Sequence, residues 1–446
     1  MTENILELMN ENPIKPTKLH NLITEMNIVD IADLFEHLDK EKTIQIFRLL
    51  PKSISADVFS YIDTDKQQII VEALTDAEIG KIINELFIDD AVDFIEEMPA
   101  DVVKRILQNI NKDKRKLINH LLQYPEDSAG SIMTTEYVEL KEDAKVREAF
   151  NEIRKTGVNK ETIYTCYVIR RNRLLVGVVS VKTLLLAKPQ DKICDIMDTN
   201  FIFAQTTDDQ EKIADLFRKY GLLSMPVVDK ERHLVGIVTV DDIVQIIEEE
   251  NTEDFEKMAA IRPSDEPYMK TGVLKHSRNR ILWLLFLMLS ATITGHIISG
   301  FEQSLAVLPV LVAFIPMLMD TGGNAGSQSA TLIIRGIALG EIEFKHILNV
   351  LWREMRVGIL CGFGLGSVNF IRVYLMNGKD YLLCITVTAS LIATVVISKS
   401  VACILPLLAK KIKLDPAIMA APLITTIVDA ASLIVYFSIA KMILKI

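Results

Sequence analysis

The sequence predicts a multidomain α-helical membrane protein with four parts: an α-solenoid N-domain, a pair of α/β repeats, a long linking helix and a five-helix transmembrane domain. The charge distribution supports this division. Residues 1–271 contain 34 Lys and Arg against 51 Asp and Glu, a net charge of −17, whereas residues 272–446 contain 15 against 8, a net charge of +7. An acidic soluble part followed by an apolar, mildly basic part excludes an ordinary soluble enzyme, a nucleic-acid-binding protein and a disordered chain.

Residues 1–125 are predicted to form an acidic N-domain that contains only helices. Apolar residues recur at a spacing of three to four, which is typical of amphipathic helices. Residues 31–51 align with residues 79–99, so that Pro51 matches Pro99. Helical repeats of this kind stack into a short solenoid.

A second repeat occupies residues 126–248, where β-branched strands alternate with helices. The segment LLVGVVSVKTLLL at residues 174–186 returns as HLVGIVTVDDIVQ at residues 233–245. An Ile-Met pair also precedes each copy, at residues 132–133 and 196–197. We therefore expect a β-α-β-β-α unit that occurs twice, at about residues 126–190 and 191–248.

This unit resembles the CBS domain, a regulatory module that binds adenine nucleotides or ions and often dimerises. In CBS domains an Asp soon after the last strand often holds the ribose hydroxyls. The second repeat has Asp241 and Asp242 at this point, whereas the first has Lys182 and Thr183. The resemblance makes ATP a candidate ligand of the pair, with the first repeat poorly suited to it, and the nucleotide-binding residues stay unknown.

An acidic segment at residues 249–272 joins the repeats to the apolar part and is predicted to be helical. It is either a solvated linker or an element that couples the soluble domains to the membrane domain. Its position favours coupling, because it is the covalent connection between the two.

Five apolar stretches follow residue 280 and predict five transmembrane helices. Each is long enough to cross a hydrocarbon core of about 30 Å. Their approximate bounds are residues 281–299, 305–334, 357–376, 381–409 and 417–440.

Basic residues predict the orientation of these helices in the lipid bilayer. They cluster before the first stretch, between the second and third, and between the fourth and fifth, so five spans place all three clusters on one side. Positively charged loops face the cytoplasm. We therefore expect a multi-pass protein of the cell membrane with cytoplasmic N-terminal domains and an extracytoplasmic C-terminus.

The segment TGGNAGSQSA at residues 321–330 places glycines and amides in the middle of the second stretch. It either lets another helix approach closely or lines a water-filled path. The path is favoured, because the amides of Asn324 and Gln328 need polar partners inside a bilayer.

Asp429 lies deep in the fifth stretch, where a carboxylate costs roughly 2.5–3.5 kcal/mol. Either it is neutral or paired with Lys399, or it forms a cation site. The cation site is favoured, and a two-fold axis through it would supply a second carboxylate.

The segments TGGNAGSQSATLIIR (residues 321–335) and DPAIMAAPLITTIVD (residues 415–429), together with the acidic helical N-domain and the CBS pair, resemble the MgtE family of magnesium channels and transporters. The resemblance implies that the protein is a homodimer. It also implies that the protein is neither an enzyme nor a nucleic-acid-binding protein. It also implies selective import of Mg²⁺ and a plug helix at residues 249–272. Cytosolic Mg²⁺ would bind the N-domain, the CBS pair and the plug helix and close the pore, which is negative feedback in Mg²⁺ homeostasis.

The same resemblance assigns the pore residues. Asp429 and the backbone carbonyl of Thr425 would hold hydrated Mg²⁺, and Asp415 would bind ions at the cytoplasmic mouth of the closed pore. The motif that lines the pore would comprise Gly322, Gly323, Asn324 and Gln328.

Acidic residues of the soluble part are implied to be the Mg²⁺ sensor. Asp90 matches the N-domain position, with Asp89 or Asp93 as alternatives. Gly221 and Gln245 replace acids of the family pattern, so we expect fewer sensor ions or a different Mg²⁺ threshold. The other implied sensor residues are Asp209, Glu211, Asp242, Glu250, Glu253 and Asp254.

An alternative of a different class is a membrane-anchored nucleotide or ion sensor that conducts nothing. Such a protein does not need polar interruptions within its spans, so the segment at residues 321–330 and Asp429 argue against it. Hydrolysis has no support, because the sequence shows no P-loop, acylation triad or metal-hydrolase helix.

Overall fold

The computed structural model describes residues 16–264, 268–376, 380–419 and 421–445. The chain divides into two compact units, residues 1–247 and residues 248–446. The first unit contains the N-domain and the α/β repeats, and the second contains the long apolar helices.

Short helices form the N-domain, as the sequence predicts. The aligned segments at residues 31–51 and 79–99 each fall on a pair of consecutive helices, α2–α3 and α6–α7. The described helices are α1 (Pro16–Thr24), α2 (Ile28–Glu36), α3 (Lys40–Leu49), α4 (Ser55–Ser60), α5 (Thr64–Ala73), α6 (Asp76–Glu85), α7 (Ile88–Glu97), α8 (Ala100–Asn109) and α9 (Lys112–Leu121).

Aromatic side chains link these helices through the centre of the domain. The rings of Phe35, Phe47, Phe59 and Phe94 contact one another edge to face in sequence, with centroids 6.3, 5.9 and 5.1 Å apart. All four are buried in one apolar core that continues into the second α/β repeat, where it includes Val227. Because this core is shared, the N-domain and the second repeat pack as one body.

Each α/β repeat has the predicted β-α-β-β-α order and forms its own three-stranded sheet. In both sheets the first pair of strands is parallel and the second pair is antiparallel. The first repeat comprises β1 (Glu139–Lys141), α10 (Val146–Thr156), β2 (Thr165–Ile169), β3 (Leu175–Ser180) and α11 (Val181–Leu186). After the short helix α12 (Ile193–Ile196), the second comprises β4 (Ala204–Gln205), α13 (Gln210–Tyr220), β5 (Ser224–Val228), β6 (Leu234–Thr239) and α14 (Val240–Met258).

The repeats interlock through the Ile-Met segments that precede them. Thr134 bonds to Ile237 of β6, and Asp198 bonds to Val178 of β3, so each segment joins the sheet of the other repeat. A glycine makes room for each methionine: a Cβ on Gly236 would lie 2.6 Å from the sulfur of Met133. Neither repeat is therefore self-contained.

The linking helix differs from the prediction in both of its bounds. It begins at Val240, inside the second repeat, and ends at Met258, whereas the sequence predicted a helix over residues 249–272. Ala260 follows with a positive φ of 54°, a conformation that ends an α-helix. Residues 265–267 of the predicted helix lie outside the described residues.

The second unit contains long helices with short connections. Within the described residues, four segments are long and apolar enough to cross a membrane: Val273–Gly300, Phe344–Met376, Tyr381–Lys411 and Pro416–Leu444. Their α-helical parts are α15 (Val273–Gly300), α18 (Ile347–Met376), α19 (Tyr381–Lys411) and α20 (Ala421–Leu444).

The second apolar stretch, predicted as one span over residues 305–334, is divided in the structure. A short helix α16 (Glu302–Val307) and a 3₁₀ segment (Pro309–Phe314) precede α17 (Ile315–Ala338). Pro309 has no N–H to continue a helix, which explains the break. Helix α17 has 24 residues but is not among the four apolar segments, because its polar middle lowers its mean hydropathy.

Helices α17, α18, α19 and α20 pack with alternating directions. Gly322 and Gly326 of α17 face Thr394 and Ser398 of α19 in the same order, so these two helices are parallel. The same glycines face Val428 and Ile424 of α20 in the opposite order, so α20 is antiparallel to α17.

Candidate ion pathway and acidic clusters

Polar residues form a stripe along one face of α17. Asp320, Asn324 and Gln328 are four residues apart, which places them one above another on a helix. All three are exposed in the single chain, whereas Gly322, Gly323 and Gly326 on the remaining surface are buried. We refer to Asp320, Asn324 and Gln328 as the polar stripe.

The buried glycines let α19 and α20 approach α17 closely. A Cβ on Gly322 would lie 2.8 Å from Thr394 Cγ2, and one on Gly326 would lie 2.7 Å from Ser398 Oγ. The hydroxyl of Ser398 donates a hydrogen bond to the carbonyl of Gly322. The two interpretations of TGGNAGSQSA therefore apply to different faces of one helix, with close packing on the glycine face and exposed polar groups on the other.

Thr425 and Asp429 of α20 lie beside this part of α17. A Cβ on Gly323 would lie 2.9 Å from Thr425 Cγ2, and Asp429 is one turn further along α20. Asp429 is half-buried and near enough to Asp320 for the two carboxylates to interact electrostatically. The arrangement brings two carboxylates and two amides to one region of the bundle.

Asp320 is a site residue that the sequence analysis did not single out. Its spacing of four from Asn324 and eight from Gln328 was the available signal, because this spacing defines a helical face.

Lys399 does not pair with Asp429. Its ammonium donates to Ser329 Oγ at 3.0 Å and to the carbonyl of Ala325 at 3.4 Å, and it is only 5% exposed. Ser329 in turn donates to Glu354 Oε2 at 2.6 Å. The interpretation of Asp429 as a lysine-paired carboxylate is therefore wrong.

A second group of charges surrounds the C-terminal end of α14. Lys257 Nζ lies 2.7 Å from Glu253 Oε1 and 2.7 Å from Asp415 Oδ2. Partial burial and the neighbouring Asp415 carboxylate raise the pKa of Asp254. We refer to Glu253, Asp254, Lys257 and Asp415 as the linker cluster; it brings together three of the predicted acids and a lysine that the sequence analysis missed.

Two opposing effects act on Lys257 in this cluster. Burial disfavours its charged form, but its hydrogen bonds to the carboxylates of Asp415 and Glu253 outweigh burial and raise its pKa. Next to it, Met258 packs against an apolar group that includes Ile334, Ala402 and Ile424. The end of α14 is thus attached to the helices of the second unit by both an ion pair and an apolar contact. Glu250, another predicted sensor residue, is one turn before Asp254 on the same helix.

A third group of charges lies between the N-domain and the two α/β repeats. We refer to five of its carboxylates as the acid cluster: Asp89, Asp90, Glu136, Glu161 and Asp242. Asp93, the other N-domain alternative, and Asp241 lie near enough to interact with them electrostatically. Glu136 Oε2 accepts hydrogen bonds from the N–H of Ile88 at 3.0 Å and from Thr134 Oγ1 at 2.9 Å, and so connects the repeats to the start of α7. Asp242 Oδ2 accepts from Thr239 Oγ1 at 2.6 Å.

Burial and mutual repulsion make the charged state of this cluster unfavourable. Asp89 is 9% exposed, and its Oδ1 has no hydrogen-bond partner. Burial, and then the charge of Asp242, raise its pKa well above the ordinary value. Burial also raises the pKa of Asp90 to about 6, of Asp242 to about 6 and of Glu161 to about 8. The structure thus brings Asp90 and Asp242 together as part of a larger set, with Asp89 the most buried of the N-domain alternatives.

The remaining predicted sensor residues lie elsewhere in the first unit. Asp209 caps α13 by accepting from the N–H of Glu211 at 3.0 Å. Gly221 ends α13 with a φ of +62°, a conformation that glycine adopts without strain. Backbone geometry therefore gives a reason for glycine where the family pattern has an acid.

None of these groups forms a complete metal site by itself. Among the described residues, no three His, Cys, Asp or Glu side chains are close enough together to hold a metal ion. Mg²⁺ commonly keeps several of its waters and is bound through one or two carboxylates.

Three family models match the chain. The model described as a divalent cation transporter matches residues 315–439, the MgtE intracellular N-domain model matches residues 26–127, and the CBS domain model matches residues 129–189 and 193–249. These segments correspond to the second unit, the N-domain and the two α/β repeats.

Two relatives are similar over nearly the whole chain. The magnesium transporter MgtE of Thermus thermophilus is 34% identical over 96% of this chain and 95% of its own length. The magnesium transporter MgtE of Bacillus subtilis is 32% identical over 98% of this chain and 96% of its own length.

Two solved structures resemble the soluble part. The soluble part of a magnesium transporter has a TM-score of 0.51 at 29% identity, over 56% of this chain and 97% of its own. The cytosolic domain of the Mg²⁺ channel MgtE in complex with ATP has a TM-score of 0.52 at 31% identity, over 55% of this chain and 100% of its own.

Proposed function

The chain belongs to the MgtE family of magnesium transporters, and from this premise we propose that it is a Mg²⁺-selective channel that imports Mg²⁺ and closes when cytosolic Mg²⁺ binds to it. The observation that carries the proposal is the exposed polar stripe of α17 beside Asp429 of α20. Contact with lipid is unfavourable for the polar stripe and the adjacent Asp429, because their two carboxylates and two amides need polar partners. A hydrated cation would supply such partners.

The hydration of Mg²⁺ determines what the pathway must provide. The ion is small, prefers octahedral oxygen coordination and loses water reluctantly. Carboxylates at Asp320 and Asp429 supply negative charge, and the amides of Asn324 and Gln328 hydrogen-bond to the water shell. Contacts to waters rather than to the metal keep binding weak enough for the ion to leave.

A homodimer completes this pathway. The polar stripe is exposed in the single chain, although α17 packs against α19 and α20, two helices apolar enough to cross a membrane. A second copy related by a two-fold axis would cover both stripes and enclose them in one pore. Two copies of Asp429 would then face the same ion.

The acid cluster is the proposed Mg²⁺ sensor, formed by acids of the N-domain and of both repeats. Without a bound cation, two carboxylates about 5 Å apart repel by about 3 kcal/mol at an effective dielectric constant of about 20. Mg²⁺ bound between them removes this repulsion and favours the compact arrangement. Because the compact form binds the ion more tightly, rising Mg²⁺ shifts the population toward it.

The linker cluster is the proposed gate. Helix α14 starts in the second α/β repeat and ends at Met258, where the neighbouring Lys257 pairs with Asp415, a residue that precedes the last apolar helix. A change in the sensor would reach the pathway along this helix. Glu250, Glu253, Asp254 and Asp415 would bind Mg²⁺ in the closed state and hold the helix in place.

The membrane orientation follows from the basic residues and the alternating helices. We place the first unit and the linker cluster in the cytoplasm and the C-terminus outside. Helices α17 to α20 alternate in direction, as consecutive spans must. With α17 as a fifth spanning helix, the start of α15 and the end of α20 lie on opposite sides of the bilayer, which agrees with the positive-inside rule.

ATP is the proposed second ligand of the soluble part, at the second repeat. The solved relative that contains ATP covers this region. Asp241, exposed at the start of α14, is available for the ribose hydroxyls, whereas Asp242 belongs to the acid cluster. The first repeat has Lys182 and Thr183 at these positions and is the weaker candidate.

Flux measurements on the purified chain in liposomes test the proposed channel. We expect Mg²⁺ entry with the natural chain and none with Asp429→Ala, while the dimer still assembles. Glu341→Gln, which removes an exposed acid after α17, is the matched control and should conduct normally. Normal flux through Asp429→Ala would contradict the channel mechanism. No flux through the natural chain would favour the non-conducting sensor.

A further inference from the structure

Between residues 322 and 330, beside the polar stripe, the packing face of α17 has few side chains that could fix its rotation; larger buried side chains such as Leu318 and Ile333 lie only toward its two ends. Gly322, Gly326 and Ala330 are buried there and face the neighbouring helices. A surface of this kind permits close approach but provides little interdigitation to resist rotation about the helix axis. Rotation matters here because a turn by one residue, about 100°, would move the polar stripe away from Asp429.

Hydrogen bonds between two other residues of α17 and neighbouring helices can resist this rotation. Ala325 and Ser329 directly follow Asn324 and Gln328, and both accept a hydrogen bond from Lys399 Nζ, at 3.4 and 3.0 Å. Ser329 donates to Glu354 of α18 at 2.6 Å. Through Ser329, one buried ammonium and one carboxylate connect α17 to both α19 and α18.

We propose that Lys399 is a positioning residue for ion conduction: with Ser329 and Glu354 it fixes the rotation of α17 so that Asn324 and Gln328 face the pathway. The inference rests on the proposed pore and adds a residue to it that does not touch the ion. The role also explains why a lysine near the pathway need not repel the ion. Lys399 lies on the packing side of α17, away from the polar stripe, and its charge is balanced by Glu354.

The charges of Lys399 and Glu354 belong to one unit. Removing either charge leaves the other in an apolar bundle, which is costly for assembly. We therefore expect less assembled dimer from Lys399→Met alone and from Glu354→Gln alone than from the chain that carries both substitutions, which we call the double variant. The double variant restores charge balance but lacks the ammonium that donates to Ser329 and Ala325, so it should assemble while α17 stays misoriented.

Cysteine reactivity measures the orientation of α17 directly. We would introduce Asn324→Cys or Ala325→Cys into the full chain in liposomes and follow modification by a cationic methanethiosulfonate. Reaction of the chain that has only its five natural cysteines is the background. With Lys399 present, position 324 should react and position 325, which is buried, should not. In the double variant, the rate at position 324 should fall several-fold and the rate at position 325 should rise.

Two further variants keep the test decisive. Ser329→Ala removes the central hydroxyl without changing any charge and should shift the reactivity in the same direction as the double variant. Ser400→Ala is the matched control, because this neighbouring hydroxyl donates only to Val396 of its own helix at 2.8 Å, and it should change nothing.

The outcomes separate this inference from the proposed pore. Unchanged reactivity at positions 324 and 325 in both the double variant and Ser329→Ala would overturn the positioning role while leaving the pore intact. An unreactive position 324 in the chain with natural Lys399 would overturn the proposed pore and, with it, this inference.

Discussion

The acid cluster and the second unit handle buried charge in opposite ways. In the acid cluster five carboxylates gather, and three of them, Glu136, Asp89 and Asp90, act on Lys114, whose own pKa is lowered by burial. In the second unit each buried or half-buried lysine contacts acids directly or through one hydroxyl, as Lys257 and Lys399 do.

The difference explains which region can sense an ion. A group of acids without matching cations changes its energy when a cation binds from solution. A group whose acids are matched in number by cations is already neutralised and mainly fixes geometry. We therefore assign sensing to the acid cluster and positioning to Lys399 with Glu354. The linker cluster combines both roles, because its three acids outnumber Lys257 and leave negative charge for Mg²⁺.

The largest expected effect comes from neutralising the acid cluster. Asp89→Asn, Asp90→Asn and Asp242→Asn together remove the repulsion that Mg²⁺ relieves. Limited proteolysis of the first unit should then be equally slow with and without Mg²⁺, whereas the natural chain should be cleaved faster without it. Glu231→Gln, an exposed acid of the same unit, is the control and should keep the dependence on Mg²⁺. A persistent Mg²⁺ effect in the triple variant would place the sensor elsewhere.

Protonation should act on the same carboxylates to a smaller extent. Their pKa values are about 6 for Asp90 and Asp242 and about 8 for Glu161, each above its ordinary value. A carboxyl with a raised pKa in the folded state favours that state once it is protonated, so without Mg²⁺ the stability of the first unit should rise as the pH falls from about 8 toward about 4. Thermal unfolding monitored at several pH values tests the sign. Stability that falls over this range would contradict the burial of the cluster.

Filling the glycine face of α17 tests the close packing of the second unit. Gly322→Ala would place a Cβ 2.8 Å from Thr394 and should destabilise the bundle by about 1–3 kcal/mol. Gly364→Ala is the matched control, because nothing lies within 4 Å of a Cβ at that glycine of α18. Denaturation in detergent compares them, and equal stabilities would argue against close contact at Gly322.

The smallest expected effect concerns Lys257. Lys257→Met leaves Glu253 and Asp415 facing each other without their shared cation. Because partly exposed ion pairs contribute only about 0.2–1 kcal/mol each, we expect a modest increase in the internal Mg²⁺ needed for closure. Lys345→Met removes an exposed lysine paired with Glu343 and should leave that concentration unchanged. A lower concentration for Lys257→Met would show that the lysine opposes closure.

The sequence predicted the fold because its signals are local. Helical periodicity, the repeat of strand and glycine positions and the apolar stretches each describe short segments, and the family resemblance joined them in the correct order. The predicted start of the second span at residue 305 was wrong, because the apolar composition continues across Pro309 whereas the α-helix does not. The linking helix was placed too late because the acidic residues, rather than the helical pattern from Val240 onward, defined its bounds.

The site was predictable only where one residue carries the signal. Asp429 and the GGN segment are conspicuous inside apolar helices. Lys257 and Asp320 are not, because each depends on a partner distant in sequence or on a shared helical face. Lys399 was visible, but its partner Glu354 could be identified only once α17, α18 and α19 were packed together.

Mg²⁺ flux into liposomes as a function of internal Mg²⁺ tests the central claim most directly. The natural chain should conduct at low internal Mg²⁺ and stop as the internal concentration rises. The triple variant Asp89→Asn, Asp90→Asn and Asp242→Asn should conduct with little dependence on internal Mg²⁺. Flux through the natural chain that does not depend on internal Mg²⁺ would contradict a channel closed by its own ion.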